Sequence, residues 1–208
     1  MALELFQGDD GRHRCGWCGS DAQYQAYHDN EWGMPVADDR RLFEKLCLEG
    51  FQSGLSWRTI LAKRENFRRA FHGFDWVEMA RMGEPEVQAL LQDAGIIRHR
   101  GKIEAVLNNA RCVQELIVRE GSLARFVWSF EPAAGSRPEA VTVPWLCANT
   151  TSAASTAMAK ELKRRGWRFV GPTTVHAFMQ SMGLFNDHLD GCHARAVVEA
   201  ARASFRRP

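Results

Sequence analysis

Apolar side chains recur at helical spacing along most of the chain. The stretch 40–50 repeats them at i, i+1, i+4 and i+5, after Asp38 or Asp39 as an N-cap and before Gly50 as a stop. The longest apolar face covers 102–119 and ends at Gly121. The pattern predicts helices over 40–50, 57–71, 75–82, 84–93, 102–119, 123–130, 155–165, 173–182 and 190–205.

Strand signals are sparse. The stretch 131–149 is rich in Pro, Ala and Gly and is predicted to be a loop, with 141–143 as the one candidate for a brief strand. The sequence therefore predicts an all-α class of about nine helices with short connections. We expect a single domain over residues 14–193, an N-terminal extension over 1–13 and a basic C-terminal helix or tail over 194–208.

Composition narrows the class. The chain has 208 residues, of which 45% are hydrophobic and 25% charged, which is typical of a globular protein and excludes a disordered one. No apolar run approaches the roughly 20 residues that span a bilayer, and the N-terminus shows no secretory signal, so the cytoplasm is the expected compartment. In a reducing compartment cysteines are thiols or metal ligands, and three in apolar stretches are predicted to be core residues: Cys47, Cys112 and Cys147.

The net charge of +2 conceals a segregation of charge. Acidic residues outnumber basic ones over 29–49 and 75–93, whereas basic residues dominate 95–111, 160–168 and 193–208. A local basic face is what phosphate binding requires, although runs of charge are also typical of solvated helix faces.

Cysteine and histidine residues cluster near both ends of the chain. Zinc prefers four such ligands in a tetrahedron, and a shared metal would tie the two ends together. Spacing alone does not choose four ligands among the six candidates, and a redox dithiol at 15–18 is the competing interpretation. The candidates are Cys15, Cys18, His28, His188, Cys192 and His193.

A second cluster combines aromatic side chains with one acid. Glu49 lies among apolar residues at a helix end, where a carboxylate is costly without a partner. Aromatic faces around it would suit a planar cation, although an aromatic core with Glu49 at its rim fits the same pattern. The aromatic residues are Trp17, Tyr24, Tyr27, Trp32 and Trp57.

Six motifs carry a resemblance to a known family. They are AYHDNEWG at 26–33, LEGFQSGLSW at 48–57, KREN at 63–66, DAGIIRHRGKI at 93–103, FVWSF at 126–130 and FVG at 169–171. Together they resemble the 3-methyladenine DNA glycosylase I family over residues 14–192. The resemblance implies a helix-hairpin-helix DNA glycosylase-like fold, a structural zinc joining the N- and C-terminal segments, and action on alkylated double-stranded DNA.

The resemblance also implies residue roles. The zinc ligands would be Cys15, His28, His188 and Cys192, with Cys18 and His193 as bystanders. The alkylated base would lie in a pocket of Trp17, Tyr24, Tyr27, Trp32, Glu49 and Trp57, in which Glu49 and Tyr27 act on the base and Trp57 stacks. DNA would be contacted by the loop residues Gly54 and Leu55 and by a hairpin over 96–102, through Gly101 and Lys102.

The implied chemistry is excision of a flipped-out cationic base. Many helix-hairpin-helix glycosylases use an aspartate after the hairpin, but no aspartate occurs between Asp93 and Asp187, and neither Glu115 nor Glu120 matches that role. We therefore expect a monofunctional hydrolase whose binding selects an already labile substrate. We also expect it to be a monomer. The rival hypotheses are a non-enzymatic module that recognises damaged DNA and a thiol-disulfide protein using Cys15 and Cys18.

Overall fold

The computed structural model describes residues 4–133 and 135–208, and helices dominate it. Most helix predictions are confirmed with small shifts of their ends. In these residues the α-helices are α1 (Ala22–Asn30), α2 (Asp39–Gln52), α3 (Trp57–Ala62), α4 (Arg64–Ala70), α5 (Trp76–Arg81), α6 (Glu84–Gln92), α7 (Arg100–Glu120), α8 (Leu123–Trp128), α9 (Val143–Ala148), α10 (Ala153–Arg164), α11 (Pro172–Ser181) and α12 (His193–Ser204).

Side-chain caps set several of the helix starts. The Asp38 carboxylate accepts a hydrogen bond from the Arg41 amide at 2.8 Å, and Ser56 accepts one from the Thr59 amide at 3.2 Å. Such caps satisfy amides that have no partner within the helix. Of the two N-caps predicted for the helix after residue 37, the structure has Asp38 and not Asp39.

The single helix predicted over 57–71 is wrong, because the chain breaks at Lys63. Lys63 has φ −102° and ψ 2° and separates α3 from α4. The break allows Phe67 to pack against Phe51 of α2, with ring centroids 4.6 Å apart. Tertiary packing decides the direction of α4, and the apolar periodicity of the sequence does not predict the break at Lys63.

Helix α1 has no counterpart among the predicted helices. Its buried residues are Tyr24, Tyr27 and His28, which are aromatic or polar, so a search for an aliphatic stripe does not detect them. The helix start is nevertheless encoded, since the Asp21 carboxylate accepts a hydrogen bond from the Tyr24 amide at 2.9 Å.

The loop predicted over 131–149 is wrong in its last part. Helix α9 begins after Thr142, whose hydroxyl accepts from the Trp145 amide at 3.3 Å. The candidate strand at 141–143 is also wrong, because Val143 already belongs to α9 and, among the residues described, the Val141 carbonyl accepts only one backbone hydrogen bond, from the Asp190 amide at 2.9 Å. Only partly buried apolar residues mark this helix, which is why its periodicity is weak.

A small sheet was not expected. Strand β1 (Leu5–Gln7) pairs antiparallel with β2 (His13–Cys15), and Leu5 lies opposite Cys15. Each strand has three residues, which is too short for an alternating pattern to stand out. The sheet places Cys15 at the end of an ordered element.

Helix α2 is the centre of the fold. It contacts α3, α7, α8 and α11, and its residues from Leu42 to Phe51 are buried except for the half-buried Glu44. At the C-terminal end, α12 spans the predicted boundary at 194 and buries Val198, and Phe205 packs on Trp128 with ring centroids 4.5 Å apart. The division into domain, extension and tail stays a prediction. Across the described part of the chain, no helix is long and apolar enough to cross a membrane.

Candidate active site and metal centre

The predicted aromatic cluster surrounds a cavity of about 220 Å³. Tyr24 and Tyr27 enter it from α1, Glu49 from α2 and Trp57 from the first residue of α3. All six residues expected from the sequence therefore meet at one cavity. Further lining residues, which the sequence did not indicate, are Gln52, Leu146, Ala177 and Gln180.

The aromatic rings hold one another at defined angles. Trp17 lies 5.0 Å from Tyr24 and 5.1 Å from Trp32 between ring centroids, with interplanar angles of 60° and 70°. Tyr27 lies 5.3 Å from Trp57. Tilted and edge-on pairs of this kind are favourable and leave few alternative rotamers, so the walls of the cavity are preformed.

Glu49 has the partner that its buried position demands. The Lys45 Nζ lies 2.8 Å from Glu49 Oε1, one turn earlier on α2, and donates to the Tyr27 hydroxyl, also at 2.8 Å. Both charged side chains are nearly fully buried. Burial lowers the pKa of Lys45 to about 8, although Glu49 opposes the shift. Sequence reasoning missed Lys45, whose i, i+4 spacing to Glu49 was the available signal.

Lys45 also changes the role available to Trp57. Its ammonium lies 3.1 Å from the centroid of the indole, a close cation–π contact. That contact covers one face of Trp57, so a planar ligand can stack only on the other face. The indole Nε1 is buried and has no hydrogen-bond partner among the described residues, which leaves a donor for a ligand.

The second site is a cluster of four buried donors: Cys15, His28, His188 and Cys192. Their ligand atoms all lie within 4.8 Å of one another. The Cys192 Sγ is 3.5 Å from both His28 Nε2 and His188 Nδ1, and Cys15 Sγ is 3.7 Å from His188 Nδ1. In a tetrahedral zinc site, sulfur and nitrogen ligands are about 3.6 Å apart. The separations therefore fit a metal of this size.

The hydrogen bonds that His28 and His188 make outside the cluster also support metal binding. His28 Nδ1 donates to the Asp29 carboxylate at 2.8 Å, and His188 Nε2 donates to the Trp32 carbonyl at 3.0 Å. The other nitrogen of each imidazole therefore directs its lone pair toward the cluster, as in metal-binding histidines, and that of His28 accepts from the Cys15 amide at 3.2 Å. Arg14 donates to Asp29, and despite burial these hydrogen bonds hold the pKa of the Asp29 carboxyl well below its usual range.

The remaining candidates lie outside this four-donor cluster. Cys18 is buried, and its thiol contacts the Gly19 carbonyl at 3.8 Å. His193 donates to Asp29 at 2.9 Å and so supports the carboxylate that orients His28. Among the three cysteines assigned to the core, Cys47 is buried, but Cys112 is half-buried and Cys147 is exposed, so the prediction is wrong for Cys147.

The two sites share a wall. Trp17 packs edge-on against His28 with centroids 5.2 Å apart, and Trp32 packs against His188 at 4.6 Å. Both tryptophans also line the cavity. Tyr27 and His28, consecutive residues on α1, serve one site each. The Cys/His cluster and the cavity are therefore in direct contact through these two tryptophans.

The residues expected at a DNA surface divide into two groups. Leu55 is 42% exposed, and Gly54 has φ +78° in the loop that follows α2. Gly101 lies in the first turn of α7, after a short loop that joins α6 to α7. These three are placed where an external ligand can reach them.

Lys102 differs from these three residues, because the structure contradicts the phosphate contact that the resemblance implied for it. The side chain is buried, and its ammonium donates to the Phe51 carbonyl at 2.9 Å and to the Ser53 carbonyl at 2.5 Å. It caps the C-terminal end of α2 and fixes the loop before Gly54. Burial also lowers the pKa of Lys102. A lysine at a helix start has the same sequence signature whether it faces inward or outward.

An aromatic pocket around a buried carboxylate is suited to a planar, positively charged ligand. Residues 17–196 match the family model described as methyladenine glycosylase. DNA-3-methyladenine glycosylase 1 of Escherichia coli (strain K12) is 51% identical over 179 residues, which cover 86% of this chain and 95% of that protein. The DNA-3-methyladenine glycosylase of Haemophilus influenzae is 46% identical over 182 residues, covering 86% of this chain and 96% of the relative.

Solved structures agree with these relatives. A crystal structure of 3-methyladenine DNA glycosylase I superposes with a TM-score of 0.82 at 50% identity, covering 86% of this chain and 98% of the other. The Staphylococcus aureus 3-methyladenine DNA glycosylase I superposes with a TM-score of 0.79 at 33% identity, covering 88% and 96%. The chain belongs to the methyladenine glycosylase family. It is accordingly an enzyme of the glycosylase class, whose members are hydrolases.

Proposed function

We propose that the protein hydrolyses the N-glycosidic bond of 3-methyladenine in alkylated duplex DNA and leaves an abasic site, without lyase activity. The observation that carries the proposal is the buried Glu49 inside a preformed aromatic cavity. Among the similar structures, one variant of 3-methyladenine DNA glycosylase I was solved in complex with 3-methyladenine. It is 32% identical to this chain with a TM-score of 0.77, covering 88% of this chain and 97% of that one.

The cavity favours a cationic base for two reasons. Aromatic faces attract a planar cation, and Glu49 accepts hydrogen bonds from the N–H edge of the base. Only Oε1 of Glu49 is engaged by Lys45, which leaves Oε2 for the ligand. Lys45 holds the carboxylate in place through this contact and is itself held by the Tyr27 hydroxyl. Because the ammonium partly offsets the negative charge, shape and stacking contribute to selection alongside charge.

The reaction needs little direct help from the protein. Methylation at N3 makes adenine cationic and weakens its bond to the sugar, and the departing base is neutral, so no general acid is required. Selecting the labile cationic base and holding it in position is then the main contribution of Glu49 and Tyr27. Water completes the hydrolysis at the sugar.

The lysines near the site support the proposed absence of lyase activity. A Schiff base requires a neutral, mobile amine next to the sugar. Lys45 is held by Glu49 and Tyr27 and covered by Trp57, and Lys102 is held by two backbone carbonyls. Neither amine is free to attack, so we infer that the strand stays intact after base release.

DNA would be held by the exposed loop and by the helix pair α6–α7. Leu55 would fill the gap left by the flipped base, with Gly54 allowing the sharp turn before it. The start of α7 offers backbone amides to a phosphate near Gly101, as in a helix-hairpin-helix motif. We propose that one monomer binds one lesion.

The four-donor cluster would hold one structural zinc ion. Four protein ligands leave no open position for substrate, and zinc at such a closed site contributes folding free energy rather than catalysis. The two soft thiolates and two imidazoles match this metal better than calcium or magnesium, which prefer oxygen. The ion would fix Trp17 and Trp32 through His28 and His188.

The decisive experiment is base release from methylated duplex DNA, with products identified by mass spectrometry. We expect free 3-methyladenine to appear with an equal amount of abasic sites, and strands to break only after alkali treatment. Retention of the base by a folded, metal-loaded protein that still binds the DNA would instead support a damage-recognition module. Strand cleavage without alkali would contradict the monofunctional assignment.

A further inference from the structure

Phe169 is an aromatic side chain held outward in an uncommon backbone conformation. It is 39% exposed and has φ +55°, in the left-handed region that L-residues rarely occupy. Its ring lies 6.3 Å from that of His99, at the start of α7. Its Cβ packs beside Gly50 of α2, where an added side-chain carbon would come within 3.4 Å of it.

Two consecutive asparagines of α7 fix this turn. The buried Asn109 amide donates to the Arg168 carbonyl at 3.0 Å, and its oxygen accepts from the Arg168 amide at 2.9 Å. Asn108 donates to the Gly166 carbonyl at 2.8 Å. A strained residue persists only when the surrounding structure holds it in place. The two hydrogen bonds from Asn109 to the Arg168 backbone hold the residue just before Phe169.

The turn belongs to the same face as the loop that carries Leu55. Lys102, at the start of α7, holds the carbonyls of Phe51 and Ser53 in the chain leading to that loop. Leu55 and Glu49 share a second cavity of about 300 Å³ with residues 173–174, which follow Phe169 closely in the chain. Helix α7 thus aligns the hairpin, the Leu55 loop and the Phe169 turn.

The charges on this face suit nucleic acid. Arg168 is exposed beside Phe169, and Arg98 is exposed beside His99. Neither arginine forms an ion pair within the described ranges, in contrast to Arg100, which is bound by Glu84 and Glu104. An exposed aromatic flanked by unpaired arginines is the combination by which proteins stack on bases and hold the adjacent phosphates.

We propose that Phe169 is a second apolar contact to DNA, packing against the nucleotides next to the flipped base while Leu55 fills the gap. The proposal rests on the proposed function but concerns binding of the duplex rather than of the excised base. Phe169 does not line the base cavity, so free 3-methyladenine and damaged duplex should respond differently to its removal.

The test compares Phe169→Asn with Phe169→Tyr. Asparagine tolerates a positive φ, so it removes the aromatic ring without adding strain, whereas tyrosine restores the ring. The probes are a duplex with one abasic-site analogue, measured by fluorescence anisotropy, and free 3-methyladenine, measured by quenching of tryptophan fluorescence. The matched control is Val118→Ala, an exposed apolar residue about 27 Å along α7 from its first residue, Arg100.

We expect Phe169→Asn to weaken duplex binding about tenfold, with recovery in Phe169→Tyr and no change in Val118→Ala. Affinity for free 3-methyladenine should be unchanged in all three variants. Unchanged duplex affinity in Phe169→Asn would overturn the proposal, and so would a parallel loss of base affinity, which would reveal a disturbed cavity. Failure of the wild-type protein to release any base would instead contradict the proposed function.

Discussion

The Cys/His cluster and the aromatic cavity are neighbours that depend on each other unequally. Both are buried, both combine distant parts of the chain, and both use α1, through His28 and Tyr27 respectively. The cluster stands behind Trp17 and Trp32, which form part of the cavity wall, whereas Glu49 and Lys45 make no contact with the cluster in the described structure. Damage at the cluster should therefore reach the cavity, but damage at the carboxylate should stay local.

The largest effect is expected from breaking the cluster. Cys192→Ala should lose the bound metal, destabilise the protein by at least about 4 kcal/mol and lower Tm by about 10 °C or more, because metal binding is coupled to folding. Binding of 3-methyladenine should weaken with it. Metal content by mass spectrometry, calorimetry and fluorescence quenching measure the three quantities.

Cys18→Ala is the matched control for this variant. It removes an equally buried thiol outside the cluster, so one metal per chain and base binding should persist. Loss of the metal in Cys18→Ala would contradict the assignment of the four ligands. Retention of the metal in Cys192→Ala would contradict it as well.

The next prediction tests whether a change at Glu49 leaves the Cys/His cluster unaffected. Glu49→Gln should lower kcat/KM for base release about 100-fold, because the charge that stabilises the cationic base is lost, while metal content stays at one per chain. Glu44→Gln, on the same helix but paired with Arg68 away from the cavity, should keep its activity. Equal activity of the two variants would refute the role given to Glu49.

The pairing of Lys45 with Glu49 is tested by a double-mutant cycle. Lys45→Met should reduce the free energy of unfolding by about 3 kcal/mol, since it leaves a buried carboxylate unpaired, and adding Glu49→Gln should restore more than half of the loss. The exposed i, i+4 pair Glu115–Arg119 provides the comparison, and Arg119→Met should cost less than about 0.5 kcal/mol. Equal costs at the two sites, measured by urea unfolding, would show that burial of the pair is irrelevant.

The smallest effect concerns a buried histidine outside both sites. Burial, with a contribution from Arg137, lowers the pKa of His176 to about 4, while Asp187 lies 4.0 Å away. Below about pH 6.5 the imidazole is protonated in the unfolded chain but stays neutral in the folded protein. The free energy of unfolding therefore falls as the pH drops from 6.5 toward 4. Between pH 7 and pH 5 the wild type should lose about 1–2 kcal/mol more than His176→Gln. The same urea unfolding series in both proteins measures the difference, and parallel pH profiles would exclude His176 as the cause.

The predicted site residues lie together in the structure where residue type alone marks a candidate. The sequence shows thiols and imidazoles near both chain ends and one acid among aromatic residues, and these can be recognised without knowledge of the fold. The structure brings each set together. The choice of Cys192 over Cys18 came from the family resemblance, because spacing did not distinguish them. Lys45 was missed and Lys102 was assigned to a phosphate because a lysine on a helix is placed in solvent by default, and only packing shows that each is buried.

The sequence by itself determined the helical class, several helix starts through their capping side chains, and the donors available at each site. These depend on local periodicity and on side-chain chemistry, which act within a few residues. Tertiary structure decided the break at Lys63, the inward course of Lys45 and Lys102, and the outward position of Phe169. Each of those outcomes depends on contacts between elements far apart in the chain, such as Asn109 with Arg168, and no local pattern encodes them.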